Sequence, residues 1–369
     1  MKLNTITISL FLFIILIQSC QESSDIIFDL EQNKPPIIFQ EEPTSYSKQV
    51  VLNAFIGRNE LLFINASTIS NFTADSDLEY SNPVHFLSLS YFKKHCISKN
   101  YLALTSAITG HRYINFHSTN EQLFFDEELA LSINKVGGIP SDSTWDYTSY
   151  NTSPFDNTAI NKFDKAILPV VKKTDPDALV FILFDLRKLV GSANPNNYNY
   201  EYNPNRNLPK DQYTEIVFPE GTTNEINRME SFEHNFLVST AENTYLIRPD
   251  GSYQLLLEGS ANDFFKFDDK IYADFGDRIA FSSDDGETWE VINDTPEFPG
   301  FREFQDVYGH LIFFHEDNLY LVNPDDFSYY ELDNEGLEHS KITAVLPFYQ
   351  RIFVTTLSGV FYKPIENLE

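Results

Sequence analysis

Three features of the sequence predict an all-β fold. Phe and Tyr are abundant, 33 and 20 of 369 residues against only 14 Gly, a mix that suits well-filled pleated sheets and argues against disorder. Four segments of the second half repeat one pattern of short strand-like runs broken by turns. Those runs alternate at period two and show no sustained apolar face at helical spacing. Together these features predict a β-propeller of about seven (six to eight) four-stranded blades over residues 46–369.

The repeats run from Phe232 (FEHNFLVSTAENTYLIRPDGSYQLLLEG), Phe267 (FDDKIYADFGDRIAFSSDDGETWEVIND), Val307 (VYGHLIFFHEDNLYLVNPDDFSYYELDN) and Phe348 (FYQRIFVTTLSGVFYKPIENLE). Each holds an apolar triplet, a polar break, a second triplet, a turn and a third strand-like run. The first triplets begin at Phe236, Ile271, Leu311 and Ile352, a period of 35 to 41 residues. Residues 50–69 and 101–118 fit the template more loosely, and 178–186 supplies one more central strand. The last repeat stops after its third strand. A segment at 24–30 or 34–40, within an N-terminal tether of residues 20–45, is expected to supply the fourth and remove the free edge.

One turn stands out. Residues 282–289, SSDDGETW, lie between the third and fourth expected strands of the second repeat. Ser282, Asp284, Gly286, Thr288 and Trp289 fill all five positions of the Asp-box, or BNR repeat, and the stretch resembles those of sialidase-like propellers. The local chemistry is that of a folded turn. Asp284 is expected to accept backbone amides, Gly286 to allow a positive φ, and Trp289 to cover the neighbouring strand. RPDGSY (248–253) and NPDDFSYY (323–330) are partial copies at the same place. The resemblance implies a structural device at the outer rim, not a catalytic one.

The N-terminus carries one lysine, Lys2, an apolar run from Ile6 to Ile17, and then Gln18-Ser19-Cys20. The run is shorter than the about 17 to 25 apolar residues of a spanning helix, so residues 1–19 read as a secretory signal. Ile17–Cys20 resembles the lipobox of bacterial lipoproteins, which implies lipidation at Cys20 and membrane attachment through that lipid. An ordinary signal peptide with a chance cysteine is the alternative. Gln21 and the acidic residues after it resemble the export tag of surface-exposed Bacteroidetes lipoproteins, so an outer-membrane lipoprotein with cell-surface exposure is expected. With Cys20 committed to lipid, Cys96 has no partner for an intrachain disulfide.

The formal net charge of −28 makes nucleic acid an unsuitable partner. Catalytic signatures are missing. The Phe/Tyr-Arg-Ile-Pro string of sialidases has no match, since Tyr245–Pro249 has the wrong order in a late repeat. Nine arginines occur, with no spacing that makes three of them converge. Acidic pairs say little among 54 acidic residues. His111 with His117, or His310 with His315, lack carboxylates at ligand spacing, and the FDDK and NPDD strings lack the form of a calcium loop. No metal and no cofactor is expected.

Two insertions interrupt the repeats, near 140–158 and 192–213. Both are polar yet aromatic, and long loops of this kind tend to be functional or disordered. A flat ring beside amide groups suits a sugar or a peptide. The candidate ligand-binding residues are therefore Trp145, Tyr147, Tyr150, Tyr198, Tyr200, Tyr202 and Arg206, with tyrosines packing back onto the blades as the alternative. The sequence thus reads as an envelope binding or scaffold protein for a glycan or partner protein. A sialidase-like glycosidase or lyase is the competing reading.

Overall fold

The computed structural model describes residues 38–41, 50–56, 60–65, 68–73, 84–85, 101–108, 111–118, 128–132, 145–146, 158–172, 175–187, 213–223, 225–293, 295–337 and 340–367. Residues 39–369 form one compact unit. Among the described residues the strands form seven antiparallel sheets, numbered here in chain order. Sheet 1 takes Val51–Ile56, Glu60–Asn65, Thr68–Thr73 and Val84–His85, and sheet 2 takes Tyr101–Ile108, His111–Ser118 and Glu128–Ser132. Sheet 3 holds Trp145–Asp146, Ala159–Ile160, Lys165–Lys172, Asp175–Asp185 and Tyr213–Val217. Sheet 4 (Ile226–Ser231, Phe236–Thr240, Asn243–Ile247, Tyr253–Glu258) and sheet 5 (Asp263–Phe267, Lys270–Asp274, Ile279–Ser282, Glu290–Ile292) follow at close spacing. Sheet 6 is Glu303–Val307, His310–His315, Asn318–Val322 and Tyr329–Glu331; sheet 7 is Ile342–Phe348, Arg351–Thr356 and Val360–Pro364.

The four aligned repeats thus begin at each sheet's second strand. The first strands sit upstream, where INRMES and EFQDV interleave charged with apolar residues and show no apolar triplet. These first strands touch in sequence from sheet 3 through sheets 4, 5, 6 and 7 to sheet 1, so they line the inside of the array. Each sheet has a hairpin end, carrying its first–second turn and, where a fourth described strand follows in chain order, its third–fourth turn. The opposite, linker end carries the second–third turn and the crossing to the next sheet.

Turn chemistry fixes the hairpins. Asp268–Asp269, Tyr308–Gly309 and Tyr349–Gln350 have positive φ at both positions, the two-residue type I′ geometry that matches strand twist. Between sheets the core is aromatic. Phe265 stacks on Phe304 at 4.4 Å and Phe313 on Tyr320 at 4.6 Å within one cluster shared by sheets 5 and 6.

A second device recurs between sheets. Phe218, just after sheet 3, stacks on Tyr253 at 4.2 Å, and the Tyr253 hydroxyl donates to the Val217 carbonyl at 3.4 Å. Phe298, just before sheet 6, stacks on Tyr329 at 5.2 Å, and that hydroxyl donates to the Glu297 carbonyl at 3.0 Å.

Sheet 7 receives its fourth strand from the N-terminal side, Gln40–Glu41 pairing with Tyr362 and Phe361. Phe39, 3% exposed, fills the core between sheets 6 and 7, and its amide donates to the Glu335 carbonyl at 2.9 Å. The chain passes so close to Gly336 that a Cβ there would lie 2.3 Å from the Phe39 carbonyl oxygen.

Candidate functional site

The Ser282–Trp289 turn folds around one carboxylate. Asp284 accepts the Thr288 amide at 2.8 Å, the Thr288 hydroxyl at 2.6 Å and the Ser282 hydroxyl at 2.8 Å. Ser282 in turn accepts the Gly286 amide at 2.9 Å. The Thr288 bonds lead in holding the Asp284 carboxyl below the ordinary aspartate range. Gly286, at φ +84°, has Leu246 and Leu237 at 3.2 and 3.3 Å from where a Cβ would stand, so the turn lies directly on sheet 4. Trp289 donates its indole N–H to the Gly286 carbonyl at 2.9 Å and packs on the core shared by sheets 4 and 5.

Polar groups of sheet 4 complete the joint. The His234 amide donates to Asp285 at 3.1 Å, Asn235 to the Asp285 carbonyl at 3.1 Å, and Arg248 Nε to Glu287 at 2.9 Å. Two neighbouring turns reproduce the central bond. Asp250 accepts both the amide and the hydroxyl of Ser252, at 2.9 and 2.7 Å, and Asp326 does the same for Ser328 at 2.9 and 2.7 Å. Tyr253 and Tyr329 follow them as Trp289 follows Thr288. All five sequence-marked positions of this turn meet in one hydrogen-bonded loop at the hairpin end, and their contacts are with an adjacent sheet.

The linker end holds a different constellation, one with no signal in the sequence spacing. Arg228 of sheet 4 lies 2.6 Å from Asp263 of sheet 5 and 3.9 Å from Glu303 of sheet 6. Asp263 also accepts the Phe304 amide at 3.0 Å, so it ties three sheets together. Beside it, Arg302 donates to Asp274 at 2.6 Å and to the Gly300 carbonyl at 3.2 Å, with its guanidinium over the Phe298 ring at 4.5 Å. Arg228, Asp263, Asp274 and Arg302 are all buried. Burial pushes the Asp274 carboxyl up even against the pull of Arg302. Both arginines are therefore engaged by carboxylates of the neighbouring sheet, in pairs whose chief effect is to fix how sheets dock.

The predicted ligand residues fall on sheet 3. Trp145 stands in a two-residue strand pairing with Lys172, and the chain rejoins the same edge at Ala159, opposite Ile167. The first strand of this sheet is thus split, and the first insertion leaves and returns along the inner edge. The second insertion joins the third strand, ending at Asp185, to the fourth, starting at Tyr213, at the hairpin end. Tyr147, Tyr150, Tyr198, Tyr200, Tyr202 and Arg206 lie outside the described residues, as does Cys20. Both insertions are rooted on one sheet. Among the described residues no group of three His, Cys, Asp or Glu side chains is placed to hold a metal ion.

No protein-family model and no curated protein matches the chain. Solved structures do. Virginiamycin B lyase from Staphylococcus aureus superposes with a TM-score of 0.50 at 8% identity, over 88% of this chain and 98% of that one. YCF48 bound to a D1 peptide gives 0.46 at 11% identity, over 90% and 96%. PorZ, a surface component of the type-IX secretion system of Porphyromonas gingivalis, gives 0.44 at 8% identity, over 88% of this chain and 38% of that one. At these identities the likeness concerns fold alone. With the seven sheets and their touching first strands, the lyase superposition shows that this chain is a β-propeller.

Proposed function

We propose that this propeller is a lipid-anchored envelope protein that binds or scaffolds an extracellular glycan or partner protein through the two insertions of sheet 3. The observation that carries this reading is the common root of those insertions: both begin and end on strands of sheet 3, and their sequences are rich in tyrosine and amide residues, with one tryptophan. The buried arginines support it from the other side. Arg228 and Arg302, groups a glycosidase of the sialidase type would turn toward a substrate carboxylate, face Asp263 and Asp274 instead. The Ser282–Trp289 turn is read as an Asp-box serving the docking of sheets 4 and 5, and Cys20 as the lipid-bearing residue of an outer-membrane, surface-exposed protein.

The test is a glycan array probed with the chain from Glu22, beside a Trp145→Ala, Tyr200→Ala double variant. Binding to a defined glycan class that the double variant loses supports the proposal. Failure to bind any glycan sinks its glycan half and turns the search to protein partners from the same envelope.

A further inference from the structure

The N-terminal strand of sheet 7 is held by little backbone. Gln40 and Glu41 pair with Tyr362 and Phe361, two described rungs. The strand they sit on, Val360–Pro364, has five rungs to Arg351–Thr356 on its other side. The other contacts are lateral. The Phe39 ring is buried, its amide donates to the Glu335 carbonyl at 2.9 Å, and the Lys363 ammonium stands 5.0 Å from the ring centre. The Tyr362 hydroxyl donates to Gln40 Oε1 at 3.2 Å.

This segment also belongs to a different core from the one that joins the first sheet to the last. Phe39 shares a cluster with Leu332, Leu337 and Ile365, between sheets 6 and 7. Sheet 7 meets sheet 1 through a separate cluster, which holds Val51, Ala54 and Phe63 with Leu346, Phe348 and Phe353. There the Thr343 hydroxyl donates to the Val51 carbonyl at 2.9 Å. Lifting residues 39–41 out of their slot therefore leaves the joint between sheets 7 and 1 in place.

We propose that residues 39–41 are a releasable strap, which tension on the N-terminal tether peels from sheet 7 while the propeller ring stays closed. The strap runs antiparallel to its neighbour, so its Phe39 end lies beside Lys363 and Pro364, where the chain continues to its C-terminus. Tension between the two ends of the chain enters the pair at that one end. Ladder bonds lie across the strands, so they are loaded one after another, and the two rungs of the strap yield before the five beneath them. Part of the fold then opens without the rest. The next strand begins at Val51, so release lengthens the tether by at most roughly 40 Å and bares the edge of Val360–Pro364. The inference takes from the proposed function only the source of the tension, an anchor near residue 20. Its test needs neither lipid nor ligand, so the two can fail separately.

The test is single-molecule stretching of the chain from Glu22, which contains the whole compact unit 39–369, held at its two ends. The expected record shows a first step no longer than about 40 Å, reversible on relaxation, then a separate unfolding of the remainder at higher force. Gln40→Cys with Tyr362→Cys puts cysteines on directly opposed residues, within disulfide reach. Oxidised, this variant should lose the first step; reduced, it should regain it. Phe39→Ala, which keeps both rungs but empties the slot, should speed the step at least tenfold. A first step that survives in the oxidised variant, one much longer than about 40 Å, or a single event that unfolds the whole propeller overturns the proposal.

Discussion

Gly336→Ala probes how the N-terminal strand closes the propeller. Gly336 sits at φ +97°, and an added Cβ would fall 2.3 Å from the Phe39 carbonyl oxygen and 3.1 Å from its carbon. A methyl group ordinarily keeps a carbonyl oxygen about 3.3 Å away, so the two backbones must part by roughly 1 Å. Holding an L-residue at this φ costs about 1–3 kcal/mol by itself. The ceiling is expulsion of Phe39 from the core, on the scale of about 3–5 kcal/mol for a buried Phe→Ala change. The expected loss is therefore about 3 kcal/mol. Urea unfolding of the chain from Glu22 measures it, and Phe39→Ala alone and combined with Gly336→Ala completes a double-mutant cycle. Once Phe39 is gone, Gly336→Ala should cost less by at least about 1 kcal/mol, as coupled neighbours do. A Gly336→Ala variant as stable as the parent, or strictly additive losses, would refute the idea that Phe39 is wedged in place by the missing side chain.

Other consequences are open to the same assays. Asp284 has its carboxyl held below the ordinary value of 3.8, chiefly by Thr288; such a group stabilises above its unfolded pKa and loses that effect as pH falls through its folded pKa. Asp284→Asn should thus be less stable than the parent at pH 7, with the gap narrowing below about pH 4; a constant gap would mean the charge is irrelevant. Arg302→Met leaves Asp274 buried without its guanidinium and should cost about 3–5 kcal/mol, whereas adding Asp274→Leu should restore most of it. In Arg302→Met the Asp274 carboxyl, already raised by burial, should make stability fall as pH rises, the opposite slope to Asp284. Tyr253→Phe and Tyr329→Phe each remove a hydroxyl donor, to the Val217 and Glu297 carbonyls respectively, and should each cost about 1 kcal/mol or less, read as a lower urea midpoint at unchanged slope.

The sheets were legible from residue 232 onward because their second and third strands carry unbroken apolar triplets, such as Phe236-Leu237-Val238 and Leu311-Ile312-Phe313. The first strands were not, for a physical reason. Arg228, Asp263 and Glu303 belong to inner strands, where buried charges pair across sheets and break the alternation that marks a strand. The Ser282–Trp289 turn was legible because its central bonds are local, with the Asp284 carboxylate held by Ser282, Glu287 and Thr288 of the same turn. The Arg228–Asp263 and Arg228–Glu303 contacts span 35 and 75 residues, and nothing in the spacing announces them. The Phe218–Tyr253 and Phe298–Tyr329 stacks had a weak signal, since each phenylalanine precedes a proline at the exit of a sheet. The split first strand of sheet 3 had none: Trp145-Asp146 reads as part of a polar loop until its pairing with Val171 and Lys172 is seen.

The placement of the cations narrows what this surface can recruit. Arg228 and Arg302 are closed into sheet-to-sheet pairs, Arg248 holds Glu287, and Lys162 and Lys266 converge on Glu233. Each of these contacts joins one sheet to the next, so these five basic groups among the described residues help keep blades in register. The formal net charge of the chain is −28, a large excess of carboxylates over cations. Under the proposed function, this charge favours partners that bring donors and little negative charge. Neutral polyols meet that requirement and so do basic protein segments, but the two differ in salt dependence. Binding to a basic segment should weaken steeply between low and physiological ionic strength, whereas sugar binding at an aromatic platform should hardly change. Measuring any ligand found at the sheet 3 insertions under both conditions would tell these two partner classes apart.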